Sequence, residues 1–265
     1  MASSDVASIF RLDPARGSFI SSFGPKGSGK SELITRFFSS YPYNGLMMDF
    51  TGDLDPRHEF TIPLTPRLHQ LARELGEMRE PSLGSFDRFR SELRDAWTDG
   101  GRYRFAKYRL EPSFLSDDWL KRTDDYVGLA YMTGHCFVFF DEIGEEAPVG
   151  RTPRWTRQSL RVGRHEQLSL GMAGPRPADL DPNVLNQADI VTIHGQLHEL
   201  DVARMARQLH LKQDQLSSLM SELTVEERDG VELHSFIAYV KKTREIFLLP
   251  PLPPRPAPRP AVKLA

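Results

Sequence analysis

Eight consecutive residues, Gly24-Pro25-Lys26-Gly27-Ser28-Gly29-Lys30-Ser31, follow the pattern G-x-x-x-x-G-K-[ST]. Glycines in such a loop let successive backbone N–H groups converge on phosphate, and the helix that follows turns its positive end toward the same charge. Lys30 then reaches the β- and γ-phosphates of a nucleotide and the Ser31 hydroxyl ligates Mg²⁺, so ATP and Mg²⁺ are the expected cofactors. A random chain of this length would show the pattern about one time in a hundred. Here it also follows a strand-like run and opens a helix-like one, a context that chance does not supply.

A second pair completes the chemistry. Asp141 and Glu142 close the apolar run "HCFVFF" (135–140). An acid at the end of a neighbouring strand holds Mg²⁺ through water, which is the expected role of Asp141. Glu142 is then the base that orients and polarises the attacking water. Adjacent Asp and Glu favour hydrolysis over phosphoryl transfer to a small acceptor.

The elements needed to position these residues are legible from periodicity. "GSFISSF" (17–23) reads as a strand leading into the loop, and "ELITRFFSSY" as the helix leaving it. "GLMMDF" (45–50), which ends on Asp49, and the run before Asp141 read as buried parallel strands. Residues 65–98 and 114–133 carry helical patterns, with a basic strand (Arg102, Arg104, Lys107, Arg109) between them that reads as an exposed face. "QLSLGMAG" and "ADIVTIHG" are two further strands, 199–223 holds two helices, and 232–250 reads as a β-hairpin turning near Lys242-Thr243. Strands alternating with helices predict an α/β fold with a mostly parallel central sheet flanked by helices and a C-terminal β-hairpin. The expected organisation is a lead-in over 1–16, one ATPase domain over 17–250, and an extended proline-rich tail over 251–265.

Composition narrows the setting. The 265 residues carry a formal net charge of −2, which excludes a protein that coats nucleic acid all over and allows one local basic surface. No apolar run approaches the ~20 residues that cross a bilayer. The N-terminus lacks the layout of a secretory signal, and the single cysteine, Cys136, sits in an apolar run, so the cytoplasm is the expected location. His194, His198 and His210 have no metal-ligand spacing and read as surface or core histidines. "LSLGM" (168–172) faintly resembles the ABC-transporter signature, but it follows the Asp-Glu strand instead of preceding it.

The order of these pieces resembles one family. A P-loop, the "FVFFDE" strand, then Arg161, Gly163 and His165 as R-x-G-x-H, a strand and an Arg176-Pro177 turn are similar to the FtsK/HerA-like superfamily of DNA-translocating ATPases. The compact size is closest to the genome-packaging ATPases of tailless, membrane-containing icosahedral phages. The resemblance covers roughly residues 17–252. It implies a RecA-like P-loop NTPase core, a ring, usually hexameric, and double-stranded DNA driven through the pore by ATP hydrolysis. The tail, with Arg255, Lys263 and its proline-rich frame, could dock a capsid-vertex or portal-like protein, an unstructured end being the blander reading. One position departs from the family, which usually has a polar residue, often Gln, just before the Arg-Pro pair. Here Pro175 stands there, which leaves Asn186 or Gln187 as the substitute nucleotide sensor.

The arginines between 151 and 164 take their meaning from this frame. Arg151, Arg154, Arg157, Arg161 and Arg164 occur with no acid between Glu146 and Glu166, on a helix bracketed by Thr152 as N-cap, Pro153 and Gly163. At about 100° per residue, Arg154, Arg157, Arg161 and Arg164 share one broad face. The helix follows the Asp-Glu strand, which places one of its ends near the nucleotide. Arg161 and Arg164 are therefore expected to reach the γ-phosphate of a neighbouring subunit, and Arg154 and Arg157 to be structural or DNA-facing. Two alternatives accompany this reading. A filamentous-phage-type assembly ATPase acting mainly as a protein-binding component would carry a membrane span after the core. A cellular HerA-like translocase would share all of the chemistry.

Overall fold

The structure is a computed structural model, and it describes residues 13–49, 66–78, 83–98, 107–110, 119–228 and 230–253. In chain order the elements are β1 (Phe19–Phe23), α1 (Lys30–Ser40), β2 (Asn44–Met48), α2 (Pro66–Glu77), α3 (Leu83–Thr98), β3 (Lys107–Leu110), α4 (Trp119–Thr133) and β4 (Cys136–Phe140). They continue with α5 (Ile143–Glu146), α6 (Arg154–Val162), a 3₁₀ turn (Gly163–Glu166), β5 (Leu168–Gly174), a 3₁₀ turn (Pro177–Asp179), α7 (Pro182–Asn186) and β6 (Ile190–His194). The last are α8 (Glu199–Gln208), α9 (Gln213–Ser221), β7 (Val225–Arg228), β8 (Val231–His234), β9 (Phe236–Val240) and β10 (Glu245–Leu249). Most of the lead-in, Arg102, Arg104 and residues 254–265 of the proline-rich tail lie outside the described residues.

Among the described residues the main sheet has eight strands in the order β10-β9-β6-β1-β5-β4-β2-β3. From β3 to β6 every pairing is parallel, and β9 and β10 extend the β6 side antiparallel. This is the mostly parallel α/β sheet with a terminal hairpin that the periodicity implies. One detail differs from the expectation: the acid-bearing β4 is not beside β1, because β5 stands between them.

Burial explains why the central strands are unbroken apolar runs. Cys136, Val138 and Phe140 of β4 point into a core shared with α2, α4 and α6, while Phe137 and Phe139 point into a second core with Leu33, Ile34 and Phe38 of α1. A strand buried on both faces cannot alternate apolar with polar. Gly171 of β5 lies directly under α1, where an added Cβ would stand 2.4 Å from Ile34 Cγ2.

Two local readings need correction. Thr152 does not cap α6, since its hydroxyl bonds the Pro148 carbonyl at 3.3 Å and Asp181 at 2.9 Å. Asp124 of α4 does so instead, accepting from the Trp155 and Thr156 N–H groups at 2.9 and 2.7 Å, which satisfies donors that open every helix. Gly163 is, as expected, the C-cap that follows the last α-helical residue, Val162. It continues at φ −56° into the 3₁₀ turn, and the left-handed residue that ends the turn is Gln167, at φ 55°. Residues 232–234 leave the predicted hairpin and, together with Val231, pair with β7 in a separate two-stranded sheet.

Candidate nucleotide site

The phosphate-binding loop leaves the end of β1 at Gly24, whose φ is +153° and whose added Cβ would lie 2.0 Å from the His194 carbonyl oxygen. Only glycine passes so close to another backbone in that conformation. The loop then folds over the Pro25 carbonyl, which accepts from Ser28 Oγ at 2.8 Å and from Lys30 Nζ at 2.8 Å. Lys30 opens α1 and is buried. That burial lowers its pKa, while Glu142 and Asp141 act in the opposite sense. Gly29 precedes it at φ 89°, and Ser31 lies half-buried in the first turn. Lys26 and Gly27 form the exposed crest.

The acids arrive from the other side of β5. The Asp141 N–H donates to the Met48 carbonyl at 3.0 Å, prolonging the β2–β4 ladder so that Asp49 and Asp141 occupy adjacent strand ends. Both are buried. Glu142 follows at the start of α5, and its Oε1 stands 3.5 Å from where a Cβ on Gly174 would be. Gly174 ends β5, and the tighter neighbour of a side chain there would be Ile143, whose Cγ2 would lie 3.1 Å from its Cβ. Burial pushes the Glu142 carboxyl up to about 7, helped by Asp141 and Glu145 and opposed by Lys30. A carboxylate with that pKa is matched to proton abstraction near neutral pH.

The donor set also suits Mg²⁺. Magnesium binds through one or two protein oxygens together with phosphates and waters. The Ser31 hydroxyl sits in the first turn of α1, and the Asp141 carboxylate at the end of β4 on the far side of β5. Among the described residues no group of three or more His, Cys, Asp or Glu forms a metal cage.

The arginines divide. Strands β1, β4 and β5 all end at the nucleotide edge, and α6 runs back from it. The end of α6 near the nucleotide therefore carries Arg154, and the far end carries Arg161 and Arg164. The separation is roughly five strand residues, about 17 Å. The sequence points to the Arg161–Arg164 end of the helix as the one beside the nucleotide, and the structure puts the Arg154 end there. Arg164 is held inside the subunit: Nη2 bonds Asp189 Oδ2 at 2.9 Å and the Gln187 carbonyl, and the guanidinium lies 4.4 Å over the Phe19 ring. Asn186 and Gln187 lie at that same far edge, before β6, away from this subunit's own phosphate-binding loop. Arg151, Arg154, Arg157 and Arg161 are exposed, and among the described residues none forms an ion pair with an acid. Arg154 lies 4.8 Å over Trp155 and Arg157 donates to the Thr152 carbonyl at 2.6 Å. Arg176 remains at the nucleotide edge, paired with Asp179 at 3.3 Å.

Two groups escape any motif. His194 ends β6 beneath the loop, buried and in contact with the Ser28 carbonyl at 3.1 Å. A polar residue closing an otherwise apolar strand beside a P-loop is the signal that could have marked it. Glu146, four residues after Glu142, is buried and meets the Thr156 hydroxyl at 3.1 Å, which also meets Asp124 at 2.9 Å. His198 caps α8 by accepting from the Leu200 N–H at 3.4 Å.

Strand order, loop and acid pair together define a P-loop NTPase fold. Solved structures share it. The genome packaging NTPase B204 from Sulfolobus turreted icosahedral virus 2, in complex with ATP-gammaS, superposes with a TM-score of 0.57 at 15% identity, over 91% of this chain and 100% of that one. Its complex with AMPPCP gives 0.58 at 15% identity, over the same shares. B204, the DNA-packaging ATPase from Sulfolobus Turreted Icosahedral Virus, gives 0.59 at 14% identity, over 89% of this chain and 98% of that one. No family model matches the chain, and no curated protein sequence does.

Proposed function

We propose that this chain is an Mg²⁺-dependent ATPase that drives double-stranded DNA through a ring of its own copies, in the manner of a viral genome-packaging motor. The observation that carries the reading is Glu142, set beside Asp141 across β5 from Lys30 and raised by burial to about 7. The likeness to packaging ATPases in fold supports the cargo and the ring.

In this reading the loop from Gly24 to Ser31 receives the phosphates. Lys30 exchanges the Pro25 carbonyl for phosphate oxygen, gaining a charged partner for a buried ammonium. Ser31 and Asp141 would hold Mg²⁺, which would supply positive charge to offset that of the phosphates. Glu142 accepts the proton of the attacking water. Arg161, exposed and unpaired among the described residues, is the arginine offered to the neighbouring subunit. Arg151, Arg154 and Arg157 present charge to the DNA backbone, which needs no sequence-specific contact. A capsid-vertex protein is the further partner, and host cytoplasm the setting. No helix among the described residues is long and apolar enough to cross a membrane.

The test is ATP turnover with and without double-stranded DNA, alongside the mass of the assembly. Stimulation by DNA of unrelated sequences, in a ring, is expected. A rate indifferent to DNA in a chain that stays monomeric would remove the reading.

A further inference from the structure

His194 touches the loop twice. Its carbonyl oxygen fills the space beside Gly24, and its ring Nδ1 lies 3.1 Å from the Ser28 carbonyl oxygen. The ring is 1% exposed and stacks flat on Phe236, the first residue of β9, with centroids 4.8 Å apart and planes 9° from parallel. Nε2 lies 3.2 Å from Thr192 Oγ1, which is 2.9 Å from Ser22 Oγ.

These contacts fix the proton. A carbonyl oxygen offers only lone pairs, so Nδ1 must carry hydrogen to bond it. Nε2 of a neutral ring is then an acceptor for the Thr192 hydroxyl hydrogen, which requires Ser22 Oγ–H to be the donor between the two hydroxyls. Burial and the nearby Lys30 charge hold the imidazole neutral, pushing it down to about 3. The ring is therefore a single tautomer throughout the physiological range.

The consequence for the loop follows from peptide geometry. In a planar trans peptide the C=O and the next N–H point in opposite directions. A Ser28 carbonyl drawn toward His194 turns the Gly29 N–H away from the interior, to the side where the loop opens. We propose that His194 is a positioning residue of the phosphate-binding loop, its Nδ1–H anchoring the Ser28–Gly29 peptide so that the Gly29 N–H faces the bound phosphate. The proposal rests on the reading of Gly24–Ser31 as a phosphate cradle. It also gives the C-terminal hairpin a part in that site, because Phe236 backs the ring.

The test compares His194→Asn, whose Nδ2 can replace the Nδ1 donor, with His194→Leu, which fills similar space without one. ATP and adenosine affinities are measured by calorimetry and kcat at saturating ATP. His194→Leu should weaken ATP about tenfold while leaving adenosine affinity unchanged and kcat within about threefold. His194→Asn should bind ATP within about threefold of wild type. In the unaltered protein, ¹⁵N NMR of labelled histidine should show one ring, absent from His194→Asn, as the Nδ1–H tautomer with no titration between about pH 5 and 8. The opposite tautomer would overturn the proposal even if the leucine variant does not fold. Equal ATP affinity in wild type and a folded His194→Leu would do the same, as would an asparagine variant no better than leucine. Lys30→Ala separates the two layers. ATP weakened by Lys30→Ala but not by His194→Leu overturns the proposal alone, whereas ATP binding absent from wild type, or indifferent to Lys30, overturns the cradle as well.

Discussion

Arg164 and Asp189 form an ion pair at 2.9 Å at the edge of the sheet opposite Lys30. The same carboxylate oxygen accepts the Phe19 N–H at 2.8 Å, and the Asp189 N–H donates to the Phe19 carbonyl at 2.8 Å. The pair therefore locks the start of β1 to the start of β6. With 34% and 45% of the two side chains exposed, solvent screens it, and Arg164→Ala should lower unfolding stability by about 1 kcal/mol in urea titrations.

Ring-mixing separates the two candidate arginines. Arg161→Ala subunits combined with Lys30→Ala subunits should regain part of the ATPase rate, because each mutant supplies what the other lacks at their shared boundary. Arg164→Ala subunits in the same mixture should regain none. Recovery for Arg164 would return it to the trans role, and no recovery for Arg161 at any ratio would remove that residue.

Glu142 sets a pH signature. Its native carboxyl, near 7, holds a proton more tightly than the unfolded side chain at its ordinary 4.5. The stability this contributes is present below 4.5 and is lost as pH rises through 7. Activity runs the other way, since the base must be ionised. The kcat/KM profile should rise with an apparent pKa near 7, and Glu142→Gln should still bind ATP while turning over about 10²- to 10⁴-fold more slowly.

Proton counting applies to Glu146. The Thr156 hydroxyl has one hydrogen and faces both Asp124 at 2.9 Å and Glu146 at 3.1 Å. One of the two acids must therefore be the protonated donor. Burial raises both carboxyls, but two backbone N–H groups pull Asp124 back while the Glu146 carboxyl is pushed well up, so Glu146 is the protonated one. Glu146→Gln, neutral and able to donate, should leave thermal stability nearly unchanged at neutral pH. Thr156→Val, which breaks the link and leaves Glu146 unsatisfied, should lower it by about 1–3 kcal/mol.

Salt dependence checks the exposed arginines. If Arg154 and Arg157 each meet a DNA phosphate, the double alanine variant should flatten the slope of log affinity against log salt by about 2. The loss should be equal across DNA sequences. An unchanged slope would assign both side chains to the protein surface.

The loop, α1 and β4 were legible in the sequence because each obeys a strict local rule: a phosphate pattern, a helical period, an apolar run too short for a helix. The β7–β8 hairpin was not, because "VEER" and "VELH" leave most side chains exposed and carry no core-facing alternation. Strand order was equally hidden, since nothing within β5 announces that it enters between β1 and β4. For the same reason the sequence does not show that Arg161, Arg164, Asn186 and Gln187 lie at the edge opposite the loop. All four are close in sequence to site residues, but a parallel strand carries its two ends to opposite edges. The roles of His194 and Glu146 are hidden for another reason: they lie in partners 166 and 10 residues away.

The strand between β1 and β4 also makes the site a gauge. Two hydrogen-bonded spacings, about 9.6 Å, separate the backbone that carries the loop from the backbone that carries the acids. That width is set by main-chain ladders, so substitutions of side chains leave it constant. Tolerance then resides in the reach of Lys30 and Glu142 alone. Shortening either by one methylene, as in Glu142→Asp, should open a gap that the sheet cannot close.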